Sequence, residues 1–260
     1  MRIVIKIGTT TLTHSSGQLN IRRTEEICRI ISDIKNAGNE VIIVSSGAIG
    51  MGSAKLSLHG KPSDIATKQA AAAVGQCELM YTYDKLFSEY HHTVAQILLT
   101  GSDFNSEERH ANFSNTISRL LELGALPIIN ENDTIATDEI KVGDNDTLSA
   151  LVSVSVKADL LILLSDIDGL FTADPHTTPD AVLIKQIENI DEDILALAGD
   201  SASALGTGGM RTKLSAAQLC TSGGCDMIIA NGSDPKILYD ILESNDPTCT
   251  RFVSKRSSYD

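Results

Sequence analysis

Short, continuous runs of apolar residues recur along the chain, and Gly, Ser, Asn or Asp borders most of them. They lie at 3–7, 41–44, 94–99, 126–129, 160–164 and 227–230. Apolar runs of this length without polar alternation are typical of strands that are buried on both faces, as in a parallel sheet. The pattern therefore predicts a strand at each of these positions, and a further edge strand at 250–253.

Longer stretches of mixed polarity separate these runs and have the length of helices. The predicted helices lie at 21–37, 66–90, 105–123, 145–157 and 211–222. Strands that alternate with helices indicate a doubly wound α/β fold with right-handed crossover connections. The sequence contains no Pro-rich or Ser-rich linker, internal repeat or low-complexity tract. We therefore expect a single domain over 1–260.

The stretch at 136–150 departs from this alternation. A polar segment around Glu139–Val142 precedes a cluster of acidic and amide residues. This arrangement predicts an excursion or hairpin that leads into the helix at 145–157, with Asp144 or Asp146 as the residue that caps the helix N-terminus.

The charge balance argues against a protein that binds nucleic acids. The 260 residues include 21 Lys and Arg against 34 Asp and Glu, which gives a net charge of -13 with His neutral. Only 4% of the residues are aromatic, and Trp is absent from the sequence. Binding to nucleic acids requires Lys and Arg to displace counterions from the phosphates, and often aromatic rings on which bases stack. We expect no nucleic acid among the partners.

The sequence also predicts a cytoplasmic protein without a membrane partner. The five Cys are scattered and form no CxxC pair, which favours reduced, mostly buried thiols over a disulfide framework. The apolar run near the N-terminus contains Lys6 and is too short for a signal sequence. No run of about 18 apolar residues predicts a membrane-spanning helix.

Polar and Gly-rich segments follow the predicted strands, at the place where doubly wound sheets bind their ligands. The first of these segments contains Lys6 and Gly8. A Lys within an apolar strand is costly to bury unless its ammonium group reaches an anion or an acidic side chain at the strand end. Gly8 would then allow a ligand to approach the backbone closely. An edge strand with Lys6 in solvent is the alternative interpretation.

Two further segments suit anionic ligands. Ser45–Gly50 places small residues at a strand-to-helix turn, where backbone N–H groups can hold a carboxylate or phosphate. An ordinary tight turn is the alternative. The Gly-rich segment 206–213 leads into a predicted helix and ends on Lys213. The helix dipole, free N–H groups and a positive charge therefore converge there, which suits the binding of a polyphosphate. It is not a Walker A loop, and a flexible surface loop is its alternative.

Acidic and amide residues cluster at 130–133 and 143–146. So many carboxylates repel one another unless they bind a metal cation or an ammonium group, or pair with Lys. Two solvated acidic loops are the alternative, and the spacing does not fit an EF-hand. The six His lack metal-binding spacing, so the sequence supports neither a His-bound metal nor a Ser-His nucleophile.

The motifs KIGTT, SSGAIG, NENDT, KVGDNDTLSA, LLILLSDIDGLFTADP and GTGGMRTK, taken in this order, resemble the amino-acid kinase family over residues 1–253. KVGDNDTLSA and GTGGM-x-TK are similar to the branch that phosphorylates glutamate. The resemblance implies an α/β fold, a three-layer α/β/α sandwich with a mainly parallel central sheet. The implied reaction is transfer of the γ-phosphoryl group of ATP to the side-chain carboxylate of L-glutamate. Its products are L-glutamyl 5-phosphate and ADP, and it is the first step of proline biosynthesis.

The resemblance also assigns roles to individual residues. Lys6 and Lys213 match the two lysines on the transferring phosphoryl group, and Asp146 matches the aspartate that orients them. A general base is unnecessary, because a carboxyl group with a pKa of about 4.3 is already ionised at neutral pH. The residues placed near glutamate, with Asp133 as the partner of its α-ammonium group, are Ser46, Gly47, Ala48, Asn130, Asp133 and Asn145. The residues placed near ATP are Lys6, Gly8, Ser165, Asp166, Thr207, Gly208, Gly209, Met210, Arg211, Thr212 and Lys213.

Cofactors and partners follow from the same resemblance. It implies ATP and a Mg²⁺ ion that bridges the β- and γ-phosphates with more water than protein around it, so we expect no metal site built from protein ligands. It implies a homo-oligomer, either a dimer or a tetramer, and feedback inhibition by proline beside the segment 68–76. Many family members carry a C-terminal PUA domain, and we expect none in this chain.

Two other functions fit parts of this pattern. A sister kinase would act on acetylglutamate, aspartate, carbamate or a nucleoside monophosphate. The acidic clusters suit a free α-ammonium group, which acetylglutamate lacks. The other candidate is a non-catalytic amino-acid sensor on the same fold. The presence of Lys6, Asp146 and Lys213 together argues against a sensor, which would have no use for charges that stabilise a phosphoryl group.

Overall fold

A computed structural model describes residues 1–14, 16–58, 60, 62–135, 145–175, 177–198 and 209–255. In these ranges the strands are β1 (Arg2–Ile7), β2 (Glu40–Ser45), β3 (Val94–Leu99), β4 (Leu126–Glu131), β5 (Leu160–Ser165), β6 (Gln186–Ile187), β7 (Asp226–Asn231) and β8 (Cys249–Phe252). They form one sheet in the order β3-β4-β2-β1-β5-β7-β8-β6. All pairs are parallel except β7 with β8.

The helices cover both faces of this sheet. They are α1 (Thr9–Leu12), α2 (Ile21–Asn36), α3 (Ala48–Lys55), α4 (Ile65–Ser88), α5 (Gly101–Phe104), α6 (Glu107–Glu122), α7 (Asn145–Ser155), α8 (Glu192–Ala196), α9 (Met210–Ser222) and α10 (Ile237–Glu243). No helix in the described ranges is long and apolar enough to cross a membrane.

The six apolar runs and the five long helices are where the sequence predicts them, with boundaries that shift by one or two residues. The expectation that each run is buried on both faces is wrong for β3, which lies at the sheet edge and in which only Leu99 is buried. The prediction of an edge strand at 250–253 is wrong in one respect. β8 lies inside the sheet, because the two-residue strand β6 pairs with it on its outer side. So short a strand carries no detectable hydrophobic period, which is why the sequence does not reveal it.

The structure tests only part of the prediction that Asp144 or Asp146 caps α7. Asp146 is the second residue of α7, so it is not the residue that caps this helix. Asp144 and the predicted excursion around Glu139–Val142 lie outside the described residues.

Side chains alternate between two hydrophobic layers along each central strand, which confirms the predicted three-layer α/β/α sandwich. In β1, Ile3, Ile5 and Ile7 belong to the layer formed with α2, α4 and α10. Val4 belongs to the opposite layer, which α6, α7 and α9 complete. Because strand side chains alternate with a period of two residues, Lys6 lies on the same face as Val4, towards α7 and α9.

Helices α3 and α4 cross so closely that only glycine fits at the crossing. A Cβ atom on Gly75 would overlap the backbone carbonyl of Ala48, and one on Gly52 would overlap the carbonyl of Ala71. The obstructing atoms are backbone atoms, which cannot move aside as a flexible side chain would. The crossing fixes the start of α3 relative to the middle of α4.

Gly75→Ala is expected to destabilise the fold by about 2–3 kcal/mol, because the added methyl group forces the two helices apart. Gly50→Ala is the matched control, since a Cβ at Gly50 meets Thr9 only at an ordinary contact distance of 3.7 Å. Urea unfolding of both variants measures the difference. Equal unfolding midpoints for the two variants would contradict the crossing described above.

Asp226 at the start of β7 holds the end of the described chain in place. Its Oδ1 accepts hydrogen bonds from the backbone N–H of Ser254 at 2.9 Å and the Ser254 hydroxyl at 2.7 Å. Its Oδ2 accepts one from the Arg251 guanidinium at 2.6 Å. Burial alone would raise the pKa of Asp226, but these hydrogen bonds and the charge of Arg251 together hold it below its ordinary value.

We expect Asp226→Asn to lower the melting temperature at neutral pH by about 2–4 °C. The pKa of Asp226 is lower in the folded chain than its unfolded value of about 3.9. The stabilisation is therefore complete above that value and is lost as the pH falls through the folded pKa. The melting temperatures of the two proteins, measured from neutral to acid pH, should become equal only at acid pH. A constant difference across this range would contradict the assigned role.

Candidate active site

Three charged side chains from β1, α7 and α9 meet above the centre of the sheet. Lys6 Nζ lies 2.6 Å from Asp146 Oδ1, and Lys213 Nζ lies 2.9 Å from Asp146 Oδ2. Asp146 is 1% exposed, and the side chains of Lys6 and Lys213 are 11% and 6% exposed. The sequence indicated that Lys6 needs a partner if it is buried, and the structure supplies Asp146.

Each of these side chains is positioned by its own element. β1 lies between β2 and β5, so Lys6 emerges near the carboxyl end of a central strand and not of an edge strand. Asp146 stands in the first turn of α7, where a negative charge also suits the helix dipole. Lys213 is the fourth residue of α9. The predicted convergence of a helix N-terminus and a Lys is therefore present.

The protonation state of Asp146 follows from its two partners. Burial alone would raise its pKa, but the positive charges and hydrogen bonds of Lys6 and Lys213 more than offset that effect, so the pKa lies below its ordinary value. The carboxyl group is therefore ionised at neutral pH and is unsuited to supply a proton. Two positive charges and one negative charge leave the cluster with a net charge of +1.

A second, neutral cluster adjoins the first. Asn145 Nδ2 lies within hydrogen-bond distance of three oxygens: Ser46 Oγ at 2.7 Å, the Ser45 carbonyl at 3.1 Å and Asn130 Oδ1 at 3.2 Å. Asn145 and Asp146 are consecutive residues at the start of α7. The same turn of helix therefore sends one side chain to each cluster and fixes the distance between them.

The turn at 46–48, called the cradle below, joins the strand β2 to the helix α3, as the sequence predicts. Gly47 has a left-handed backbone conformation with φ 105°, which a residue with a side chain rarely adopts, and α3 begins at the next residue, Ala48. The first turn of α3 leaves N–H groups without partners within the helix, and such groups suit an anionic ligand. Ser46 is held by its N–H group, which donates to the Ile7 carbonyl at 3.0 Å.

Of the predicted nucleotide residues, Ser165 and Asp166 lie at the end of β5, which flanks β1 on the side opposite β2. The sheet register pairs Ile7 with Leu164, so Gly8 and Ser165 follow at neighbouring positions. The hydroxyl of Ser165 donates to Asp166 Oδ1 at 3.1 Å, and Asp166 is exposed. Gly8 lies beside the cluster of Lys6, Asp146 and Lys213, since a Cβ atom on Gly8 would be 3.6 Å from Lys6 Nζ.

The start of α9 completes this side of the site. Gly209 is the N-cap residue, and its carbonyl accepts a hydrogen bond from the Thr212 hydroxyl at 2.8 Å. Met210, Arg211 and Thr212 form the turn that leads to Lys213. The other two predicted residues of this loop, Thr207 and Gly208, lie outside the described residues.

Comparison with known proteins decides the family. Residues 1–231 match the model of the amino acid kinase family. The chain belongs to the amino acid kinase family. Two relatives of this kinase are named glutamate 5-kinase. The one from Clostridium perfringens (strain 13 / Type A) is 53% identical over 98% of this chain and 96% of its own length. The one from Listeria innocua serovar 6a is 48% identical over 99% and 95%.

Solved structures of other kinases share the fold at low sequence identity. The isopentenyl phosphate kinase of T. acidophilum superposes with a TM-score of 0.67 at 17% identity, over 97% of this chain and all of that one. A carbamate kinase from Giardia lamblia gives a TM-score of 0.66 at 16% identity, over 98% of both chains. At these identities the likeness concerns the fold alone.

Three further observations concern the surroundings of the site in this kinase. Asp133 lies in the turn that follows β4, two residues beyond its end. In the part of the chain that the structure describes, no group of three or more His, Cys, Asp or Glu side chains is arranged to hold a metal ion. Gln76 of α4 contacts Asn130. The sequence includes Gln76 in the segment 68–76 but does not assign it to the glutamate site.

Proposed function

We propose that this chain transfers the γ-phosphoryl group of ATP to the side-chain carboxylate of L-glutamate, which gives L-glutamyl 5-phosphate and ADP. The observation that carries the proposal is the 53% identity to a glutamate 5-kinase over nearly the whole of both chains. The reaction is the first step of proline biosynthesis.

Glutamate recognition is assigned to the neutral cluster and the cradle of α3. The amide nitrogen of Asn145 is used within the protein, while its Oδ1 is buried and has no hydrogen-bond partner among the described residues. This oxygen is an acceptor, so it suits the α-ammonium group better than a carboxylate. Asp133 supplies a negative charge for the same group. Ser46, Gly47 and Ala48 face the carboxylate that reacts.

Phosphoryl transfer is assigned to the two lysines. The glutamate carboxylate is ionised at neutral pH and attacks without a general base, so catalysis consists of positioning and charge stabilisation. Lys6 and Lys213 hold positive charge where the γ-phosphoryl oxygens lie, and Asp146 keeps both in place before the substrates arrive. Charges that are already oriented do not have to reorganise during the reaction.

The nucleotide side is assigned to the residues around Gly8, Ser165 and Asp166 and to the turn from Thr207 to Lys213. A Mg²⁺ ion would be held chiefly by the phosphates of ATP and by water, since both oxygens of Asp146 face the lysines. When bound, Mg²⁺ neutralises part of the phosphate charge. No described cluster offers it a protein cage.

Regulation and assembly are carried over from the family resemblance. We infer feedback inhibition by proline beside the segment 68–76, and assembly into a dimer or tetramer. Assays with and without millimolar proline test the first statement, and equal rates would reject it. Light scattering of the purified protein tests the second, and a monomer mass would reject it.

The acceptor is tested by trapping the acyl phosphate with hydroxylamine in the presence of ATP and Mg²⁺. Glutamate, aspartate and acetylglutamate are compared at equal concentrations. We expect kcat/KM for glutamate to exceed that for either analogue by about 100-fold or more, since unpaired polar groups of the site discriminate strongly. Absence of glutamyl hydroxamate above background would reject the proposal, and an equal yield from acetylglutamate would reject the assigned acceptor.

A further inference from the structure

Gln76 is a buried amide in the middle of α4 that reaches the glutamate side of the site. It is 8% exposed, and its Oε1 accepts a hydrogen bond from Asn130 Nδ2 at 2.8 Å. Asn130 is 2% exposed. This contact joins α4 to the end of β4 across 54 residues of sequence.

Backbone groups fix the orientation of two amides in this series of contacts, those of Asn130 and Asn145. The backbone N–H of Glu131 can only donate, and it lies 2.9 Å from Asn130, so the atom that faces it must be Oδ1. Asn130 Nδ2 is thereby directed to Gln76. The Ser45 carbonyl can only accept, so the atom of Asn145 that faces it must be Nδ2.

The result is a directed series of hydrogen bonds from Gln76 through Asn130 to Asn145. Asn130 Oδ1 accepts from Asn145 Nδ2 at 3.2 Å, and the same nitrogen reaches Ser46 Oγ. Asn145 Oδ1 is then the amide atom that remains for a ligand. The Glu131 N–H fixes which atom of Asn130 faces Asn145, and in that orientation the buried NH₂ group of Asn130 needs an acceptor, which Gln76 supplies.

We propose that Gln76 is a positioning residue for the acceptor site, which acts through Asn130 to keep Asn145 Oδ1 directed at the α-ammonium group of the substrate. The inference rests on the proposed glutamate phosphorylation and adds a residue that lies outside the catalytic cluster. The glycine crossing supports it, because Gly75 packs against Ala48 and so fixes the residue next to Gln76 relative to the cradle.

The first test replaces Gln76 by Met, which has a similar volume and no strong acceptor. The buried NH₂ group of Asn130 then lacks a partner, so we expect the Asn130 side chain to shift and to hold Asn145 less firmly. We expect the KM for glutamate to rise about tenfold, as for other buried hydrogen bonds that lose one partner. The KM for ATP and kcat should change by less than about twofold, since the lysine cluster is untouched.

Two controls accompany this variant. Gln76→Glu keeps an acceptor towards Asn130, so its KM for glutamate should lie well below that of Gln76→Met. Thr82→Val removes another polar group of α4, whose hydroxyl donates within the helix to the Glu78 carbonyl at 2.9 Å, and should leave all kinetic constants unchanged. If Gln76→Met does not fold, Gln76→Ala replaces it, because it also lacks the acceptor.

A double-mutant cycle separates positioning from a general structural effect. In an Asn145→Ala background the proposed target of Gln76 is gone, so Gln76→Met should have no further effect on the KM for glutamate. Additive effects of the two substitutions would overturn the proposal, as would an unchanged KM in the single variant. Failure of the proposed function is distinct from both, because the unmodified protein would then form no glutamyl hydroxamate at all.

Discussion

Lys213→Ala is expected to lower kcat by about 100- to 1,000-fold, the range found when one fixed donor to a developing anion is removed. Lys213 is 6% exposed on its side chain and is held 2.9 Å from Asp146. Its charge therefore cannot be replaced by a neighbouring side chain or by bulk ions. Steady-state kinetics with glutamate and saturating ATP measure the loss.

The matched control is Lys85→Ala, which removes an exposed lysine from α4. Its kcat should equal that of the unmodified protein. Lys213→Arg keeps the charge but not the shape of the ammonium group, so it should recover only part of the rate. A Lys213→Ala variant with near-normal kcat would remove this lysine from the phosphoryl site.

Asp146→Asn is expected to lower both stability and turnover. The substitution leaves two ammonium groups close together without the carboxylate that separates them. Removing one partner of a buried ion pair costs about 3–5 kcal/mol. We also expect kcat to fall by about 100-fold or more, since both lysines lose the group that orients them. Urea unfolding and steady-state kinetics measure the two effects.

The pH dependence of the Asp146→Asn effect has a definite sign. The pKa of Asp146 is lower in the folded chain than its unfolded value of about 3.9. Its stabilising effect is therefore complete above that value and is lost as the pH falls through the folded pKa. Asp84→Asn, which alters an exposed carboxylate of α4, is the control. Equal stability of Asp146→Asn and the unmodified protein at neutral pH would contradict the ion-pair geometry.

The net negative charge of the molecule explains why the cluster of Lys6, Asp146 and Lys213 matters for binding. Both proposed substrates are anions, and a chain with a net charge of -13 repels them on average. Binding therefore depends on a few places where the local charge is positive. Lys6, Asp146 and Lys213 together form such a place, with a net charge of +1.

Much of the fold follows from the sequence because the central strands are buried on both faces. Their apolar runs at 3–7 and 160–164 need no knowledge of distant residues to be recognised. Lys6 is identified as a candidate site residue for the same reason, since a single charged side chain within a buried apolar run needs a partner of opposite charge. The short elements α1, α5 and β6 are missed because four residues or fewer carry no period.

The family resemblance places Ser46, Asn130 and Asn145 near glutamate, but their hydrogen bonds could not be predicted because these contacts join distant parts of the chain. Gln76 and Asn130 are 54 residues apart, and Asn145 and Ser46 are 99 apart. Motifs indicate which residues bear chemistry, but the direction of an amide depends on backbone groups that only the fold brings near. The close crossing at Gly52 and Gly75 is likewise invisible until α3 and α4 are placed together.

The most direct test of the central claim follows the oxygen atom that attacks phosphorus. Glutamate labelled with oxygen-18 in its side-chain carboxylate is incubated with the protein, ATP and Mg²⁺, and the acyl phosphate is left to cyclise through attack of its own amine on the acyl carbon. That step breaks the carbon–oxygen bond and releases phosphate. ³¹P NMR should show one oxygen-18 atom in each phosphate that leaves the acyl phosphate. Phosphate without the label would mean that water had attacked ATP, and would contradict glutamate as the acceptor.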